Sequence, residues 1–463
     1  MYQDKEMSHI PLTDFVEAAA RKFNIPGVAV GVWADGKEAY ACHGVTSIDN
    51  PLPIDQDTLF LVASVTKTFT ATLLMRLVAE GRVELDAPVR RYVPEFRLKD
   101  EQAADNITVL NLLNHTSGLD WRVNSDTGEG DDALERSVAK LAEMELIAPP
   151  GTRVSYSQAG YNLLGRLVEK VRGQTFEQAV ASLVFEALGL SHSFFARDDI
   201  MTRRFAVGHN PGEGGRLSIA RPWRHWRGEN PCGGLATSAA NLLSFARFHL
   251  GDGRAASGTR VLPTHVLQQM KEPTAPLLAS NLGDAIGLGW FLRDVGGTRT
   301  VGHAGSANGQ FAELLLVPER NFAVVSLSNA SPGGIPFNQA VVSFALENYL
   351  GLVDRDPEPI PFDVGRAKEI VGAYANEMMT CTIDAVGNRL RLVVRIRPEI
   401  RAAAQKAPPP DPEPADFGLL PGSSDEYIIT SGEFKGHRGF FTRDTSGTIV
   451  GVDLGGRLFS RVQ

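Results

Sequence analysis

Ser64 and Lys67 lie three residues apart in Leu61-Val62-Ala63-Ser64-Val65-Thr66-Lys67-Thr68-Phe69, where a short apolar run passes into a helical pattern. Positions i and i+3 share a helix face, so the spacing brings a hydroxyl and an amine together. A serine is a weak nucleophile until a neighbour takes its proton, and a desolvated lysine amine is one such neighbour. The start of a helix adds free backbone N–H groups and partial positive charge at the same spot. The chemistry this predicts is attack on an acyl carbon, with base and anion stabiliser within one turn.

Roughly two Ser-x-x-Lys matches are expected by chance in a chain of this length. A second does occur, at Ser137 and Lys140. It lies within residues 131–148, a charged helical pattern in which mid-helix N–H groups are already used, and Ser137 reads as a surface residue. Ser64 opens its helix, and two further segments supply what a lone lysine lacks. Val154-Ser155-Tyr156-Ser157-Gln158 offers a phenol that an ammonium neighbour would turn into a general base and acid. Val301-Gly302-His303-Ala304-Gly305-Ser306 lies between two predicted strands, where an edge N–H can join an oxyanion hole and Gly305 permits close approach.

The elements that must position these residues follow from periodicity. Residues 12–23 read as an amphipathic helix, and 28–33 with 38–41 as a β-hairpin. The helix after Ser64 ends near Gly81. Residues 107–190 are mostly helical, 208–234 suggest a long functional loop, and 237–250 and 263–271 are again helical. Strands are predicted at 286–293, 299–303, 310–317 and 322–328, then a helix at 336–350. Strands at both ends with helices between them predict one antiparallel sheet with an inserted helical lobe, an α+β arrangement. Beyond the Pro-rich stretch 354–361 the pattern turns to short strands, at 380–384, 389–397, 439–443 and 448–453, fitting a small antiparallel barrel. The expected domains are therefore 1–353, with its helical lobe at about 85–285, and 354–463. In 389–397, Arg389, Arg391, Arg395 and Arg397 alternate with apolar residues, which reads first as a solvated strand face. Residues 407–412 read as a flexible loop.

Composition narrows the function classes. A formal charge of −8 without a Lys/Arg run argues against a nucleic-acid partner. No apolar stretch reaches membrane-spanning length, and the N-terminus lacks a signal-peptide pattern, so a cytoplasmic setting is expected unless a leader has been removed. Cys42, Cys232 and Cys381 show no disulfide or metal spacing, and the ten histidines are dispersed. Neither a metal nor another cofactor is expected. Gly-x-Ser-x-Gly is absent, which argues against an α/β-hydrolase elbow.

In this order, the three segments resemble the serine β-lactamase and penicillin-binding-protein superfamily, closest to class C β-lactamases, D-aminopeptidases and related esterases. Leu112-Leu113-Asn114-His115-Thr116-Ser117-Gly118-Leu119, Pro150-Gly151-Thr152 and Gly233-Gly234-Leu235-Ala236-Thr237-Ser238 extend the resemblance over about residues 12–350. It implies Ser64 as the acylated nucleophile, Lys67 and Tyr156 as proton-handling partners, and the N–H groups of Ser64 and Ser306 as oxyanion hole. Two departures bear on the substrate. The family's Tyr-x-Asn is Tyr156-Ser157-Gln158, and its Lys-Thr-Gly is His303-Ala304-Gly305, where histidine is a weaker anion anchor. The C-terminal part resembles lipocalin-like barrels appended to some peptidases and amidases of the family, which border the active site and restrict substrates. Trp223, Arg224 and Trp226, just before Gly233, are candidates to line the cleft.

The expected function is a serine hydrolase cleaving amide or peptide bonds of small molecules or short peptides, D-residues among them. The alternatives are a carboxylesterase or acyltransferase with weak β-lactamase action, and a catalytically silent binding or assembly-forming relative. A homo-oligomer is left open.

Overall fold

The two ends of the lactamase-like segment meet in one sheet. Helix α1 (Leu12–Lys22) leads into β1 (Gly27–Ala34) and β2 (Lys37–Gly44). The later part supplies β3 (Ala275–Ser280), β4 (Gly283–Ile286), β5 (Phe291–Val295), β6 (Thr298–Ala307), β7 (Gln310–Val317) and β8 (Phe322–Ser328). The order across the sheet is β2-β1-β8-β7-β6-β5-β4-β3, every pair antiparallel. The computed structural model describes residues 10–121, 126–223, 226–403, 411–422, 425–432 and 434–462.

Because successive strand residues face opposite ways, each strand serves two cores. Val30, Val32 and Val324 pack with α1 and with α5 (Gly334–Leu350) on one face. Ala29, Leu314 and Val325 join the larger core on the other, with α2 (Thr66–Ala79), α3 (Gln158–Arg172) and α4 (Ala239–Leu250). All seven residues of β8 are buried, as a central strand covered on both faces requires. The antiparallel sheet, the helices around it and a C-terminal barrel are the architecture the pattern predicted.

Three local expectations change. Residues 286–293 do not form one strand: Gly287 N–H donates to Trp290 O at 2.8 Å in a turn between β4 and β5. Gly289 has φ +81 there, and a Cβ on it would stand 2.5 Å from Ala71 of α2, so only glycine fits. Residues 131–148 are not one helix; Ala133–Ala139 is helical and a 3-10 turn, Lys140–Glu143, follows. Ser137 is not on the surface but 5% exposed, its Cβ packed at 3.1 Å against where a side chain on Gly228 would begin. Lys140 begins the 3-10 turn after that helix and is exposed, so this second Ser-x-x-Lys pair joins a buried serine to a solvated lysine. Residues 208–234 hold a short hairpin, His209–Pro211 with Leu217–Ile219, and a helical turn, Asn230–Gly233.

After residues 351–363, which carry no helix or strand, a helix at Val364–Ile370 precedes β9 (Gly372–Ala375), β10 (Met379–Val386), β11 (Arg389–Ile396) and β12 (Ala415–Leu419). Then come β13 (Glu426–Ile429), β14 (Arg438–Arg443), β15 (Ile449–Leu454) and β16 (Arg457–Val462). These eight strands close into a barrel, β16 pairing back onto β9. Its interior is filled by side chains: the Phe417 and Tyr427 rings lie 5.1 Å apart, Tyr427 and Phe441 5.4 Å, and Tyr374 and Phe441 6.3 Å. Arg389 and Arg391 both pair with Asp416, and Arg397, just past β11, with Glu399, so these arginines stand in solvated ion pairs. The loop expected at 407–412 falls largely outside the described residues. No helix among the described residues is long and apolar enough to cross a membrane.

Candidate active site

Ser64 sits in a 3-10 turn, Ala63–Val65, directly ahead of α2. Val62 N–H donates to Leu235 O at 3.0 Å and Leu61 N–H to Gln310 Oε1 at 3.0 Å, so the turn is pinned from both sides. Ala63 has φ +46, a left-handed conformation that costs a residue with a Cβ about 1–2 kcal/mol. Such strain persists only where the surroundings over-determine it.

Lys67 is 0% exposed, and its Nζ donates to Ser64 Oγ at 3.3 Å and to Cys232 O at 2.6 Å. The same nitrogen lies 4.8 Å from the centre of the Tyr156 ring and 5.5 Å from that of Tyr161. α2 is further fastened to the segment facing it: Thr70 Oγ1 donates to Pro231 O at 2.7 Å, and Leu235 N–H to Thr66 Oγ1 at 3.2 Å.

Tyr156 stands just ahead of α3, whose N-cap Ser157 accepts from Gly160 N–H at 3.1 Å. The ring is 7% exposed, and Oη has no hydrogen-bond partner among the described residues. Its backbone is held from three directions. Ser155 N–H donates to His115 O at 2.9 Å, and Ser157 N–H to His115 Nδ1 at 3.1 Å. Gln158 and Ala159 N–H both donate to Trp121 O, at 2.7 and 3.1 Å. Tyr156 N–H itself donates to Gly456 O of the barrel at 2.8 Å.

His115 and Gly456 are contributors that the sequence reading did not single out. His115, at φ +57, lies against Tyr156 and Tyr161 with ring centres 4.6 and 5.0 Å away. Burial, and then the nearby Lys67 charge, push its pKa well below the ordinary value, so it is neutral and Nδ1 keeps its lone pair for Ser157. A non-glycine residue ahead of Thr-Ser-Gly gives no hint of that on paper. Gly456 belongs to the turn between β15 and β16, far along the chain. Beside it, Arg457 stacks its guanidinium 4.0 Å over Trp121 and 5.9 Å from the Tyr156 ring. A second barrel turn touches the same loop, Glu377 N–H donating to Asp120 Oδ2 at 3.4 Å.

β6 forms the opposite wall. A Cβ on Gly305 would lie 2.0 Å from Val62 O and 3.1 Å from Ser64 N, so the strand reaches the Ser64 turn only because residue 305 has no side chain. Ser306 follows and borders the same cavity as Ser64. His303 is 4% exposed, its Nδ1–H donates to Ala304 O at 2.7 Å, and its Nε2 has no partner among the described residues. Burial and then the Lys67 charge lower its pKa to about 3. The position that carries lysine elsewhere in the family therefore carries no cation at neutral pH, a larger departure than a weakened anchor.

The cavity beside Ser64 has a volume of about 40 Å³ and is lined by Gln158, Trp226, Glu229, Gly233 and Ser306 among others. Trp223, expected near it, instead donates from Nε1–H to Ala206 O at 3.0 Å and packs edge-on against Phe205. Arg224 lies outside the described residues.

Comparison with known proteins agrees with this arrangement. The beta-lactamase family model matches residues 12–340. Penicillin-binding protein 4 of Amycolatopsis lactamdurans is 33% identical over 371 residues, covering 78% of this chain and 96% of that protein. The crystal structure of SurE superposes with a TM-score of 0.77 at 25% identity, over 97% of this chain and 98% of that one. The D-amino acid amidase of Ochrobactrum anthropi SV3 shares the fold, with a TM-score of 0.62 at 24% identity over 73% of this chain and 97% of its own. With the Ser64–Lys67 turn, the Tyr156 segment and the β6 edge held in one place, the chain belongs to the beta-lactamase family.

Proposed function

We propose that the protein is a serine hydrolase that forms an acyl-enzyme at Ser64 and cleaves amide or peptide bonds of small substrates. The observation that carries this is the fully buried Lys67 amine, held 3.3 Å from Ser64 Oγ and facing the Tyr156 ring. Ser64 Oγ attacks the acyl carbon while its proton passes to the Lys67–Tyr156 pair. The tetrahedral oxyanion is held by the N–H groups of Ser64 and Ser306, which Gly305 lets approach. Collapse expels the leaving amine, which takes a proton from Tyr156 Oη, a hydroxyl with no hydrogen-bond partner among the described residues. Water repeats the sequence on the acyl-enzyme and returns Ser64. Trp121 O, His115 and Gly456 O keep the phenol within reach.

The lactam that names the family is itself a cyclic amide, which supports amide cleavage as the first reading. The neutral His303 favours a second. Without a cation there, the carboxylate of β-lactams and cell-wall peptides loses a partner, which points to an esterase or acyltransferase with weak β-lactamase action. Ser64, Lys67 and Tyr156 gathered in one place speak against a catalytically silent relative.

The test is intact mass after exposure to a fluorophosphonate, an activated ester and a penicillin, for the wild type and Ser64→Ala. A wild-type adduct that Ser64→Ala lacks is expected. No adduct with any reagent refutes the hydrolase reading, and an adduct surviving in Ser64→Ala moves the nucleophile elsewhere. Matched amide and ester substrates then separate the two readings.

A further inference from the structure

We propose that Thr70, with Thr66, is a positioning residue for the Lys67 amine: its hydroxyl places the carbonyl to which that amine is anchored. This rests on the acyl-enzyme reading and extends it to a hydroxyl about one turn of α2 beyond Lys67.

Lysine needs such an anchor. Its ammonium is a point charge on a flexible four-carbon stem, so the hydrogen bonds at its end decide where the nitrogen sits. Nζ donates to Ser64 Oγ at 3.3 Å and to Cys232 O at 2.6 Å. The shorter bond is the anchor, and it sets the reach toward Ser64.

What places Cys232 O therefore matters. On the α3 side its segment is held by packing: a Cβ on Gly165 would stand 2.2 Å from Pro231 Cγ, so the proline ring lies directly on the helix backbone. Packing is non-directional, and it sets how near the segment lies and not where its carbonyls point. Direction comes from α2. Thr70 Oγ1 donates to Pro231 O at 2.7 Å, one peptide ahead of Cys232 O, and Leu235 N–H donates to Thr66 Oγ1 at 3.2 Å.

The same helix holds its own comparison. Thr66, Thr68, Thr70 and Thr72 alternate along α2, each no more than 1% exposed. Threonine is a weak helix former, and a buried hydroxyl must find a partner. Residues four apart share a face, which pairs Thr66 with Thr70 and Thr68 with Thr72. Thr68 and Thr72 turn their hydroxyls back on the helix, to Val65 O at 2.8 Å and Thr68 O at 2.7 Å, and Thr72 also meets His249 Nε2 at 3.0 Å. Thr70 has a helix carbonyl, Thr66 O, only at 3.4 Å, and its short bond leaves the helix for Pro231. One pair of threonines ties the helix to itself and to α4; the other reaches the segment that carries Cys232.

The experiment compares Thr70→Val, which removes the hydroxyl and keeps the branch, with Thr70→Ser, which keeps the hydroxyl, and with Thr72→Val on the other face. Each is read by its rate of fluorophosphonate labelling in intact mass, by kcat and KM for p-nitrophenyl acetate, and by its melting transition. A one-ångström misplacement of a reacting group costs up to about a hundred-fold, so Thr70→Val should lose about ten-fold or more in labelling rate and in kcat. Acylation and deacylation both use Lys67, so KM should stay within about three-fold of wild type. Thr70→Ser should recover both rates to within about three-fold, and Thr72→Val should keep them despite its own lost hydroxyl. If Thr70→Val does not fold, Thr66→Val, which removes the Leu235 bond, is read against Thr72→Val in the same way. Thr70→Val at the wild-type rate, equal losses in Thr70→Val and Thr72→Val, or a Thr70→Ser no better than Thr70→Val overturns the positioning role. A wild type that gains no adduct, or an adduct that Ser64→Ala keeps, overturns the acyl-enzyme reading and the positioning role with it.

Discussion

Gly305→Ala isolates how closely β6 must approach Ser64, the proposed nucleophile. The added Cβ would lie 2.0 Å from Val62 O and 3.1 Å from Ser64 N, both of them backbone atoms that no rotamer change can move. Ordinary contact begins near 3.4 Å, so strand and turn must part by about 1.4 Å. The Ser64 turn cannot absorb this by itself, because Val62 and Leu61 are pinned by Leu235 O and Gln310 Oε1. β6 therefore retreats and carries the Ser306 N–H out of reach of an oxyanion at Ser64. Losing one such donor costs roughly 10²–10³ in rate, about 2.7–4 kcal/mol, and overpacking costs a further 1–3 kcal/mol of stability. Gly302→Ala on the same strand is the comparison: its Cβ would meet Leu314 O at 3.0 Å, far from Ser64. Ester hydrolysis and thermal melting of both variants are the assays. Gly305→Ala should lose at least a hundred-fold in kcat/KM, and Gly302→Ala less than ten-fold at a comparable loss of melting temperature. Equal activity losses, or Gly305→Ala within three-fold of wild type, would refute the argument.

Two other perturbations test the barrel's part. Gly456→Ala places a Cβ at φ +73, 2.0 Å from Leu282 Cδ1, and should tilt the β15–β16 turn away from Tyr156 N–H; kcat should fall about ten-fold, and an unchanged kcat in a variant of lowered melting temperature would remove the brace. Asp453, buried beneath that turn, has its pKa raised to about 7, chiefly by desolvation. A carboxyl with a raised folded pKa holds its proton longer in the native state, so stability falls as pH rises from about 4 through 7. Asp453→Asn removes that penalty, and its stability advantage should widen by roughly 2–3 kcal/mol between pH 5 and pH 8 in denaturant melts. A constant gap would mean that the carboxyl titrates normally.

The sequence spoke most clearly where one periodicity governed a whole element. Residues 310–317 and 322–328 alternate or run apolar throughout, and β7 and β8 occupy those residues. It spoke poorly where tertiary contact decided the outcome. Residues 286–293 look like one strand because nothing local announces that Gly289 must clear Ala71 on α2. Ser137 looks exposed because its neighbours are charged, yet one face of Ala133–Ala139 packs on the segment holding Gly228. At the site, Ser64 and Lys67 were legible because a helix turn brings them together locally. Gly456, some three hundred residues from Tyr156 along the chain, was not, since no local pattern encodes a carbonyl donated across two domains' worth of sequence.

The shared burial of Lys67, His115 and His303 links these observations. Burial, with the Lys67 charge as the second cause, keeps the His115 and His303 imidazoles uncharged and so fixes what each can do. Neutral His115 retains the lone pair that accepts Ser157 N–H, so the burial it shares with Lys67 also secures the segment that carries Tyr156. Neutral His303 spends its one proton on Ala304 O and leaves Nε2 as a buried acceptor with no partner among the described residues. A lysine at 303 would set a second buried cation against the first, and two like charges in low dielectric disfavour each other's ionisation. Histidine removes that conflict and with it the attraction for a substrate carboxylate. On the acyl-enzyme proposal, the departure from the family pattern at His303 therefore bears on which substrates are held, while Ser64 and Lys67 stay 3.3 Å apart.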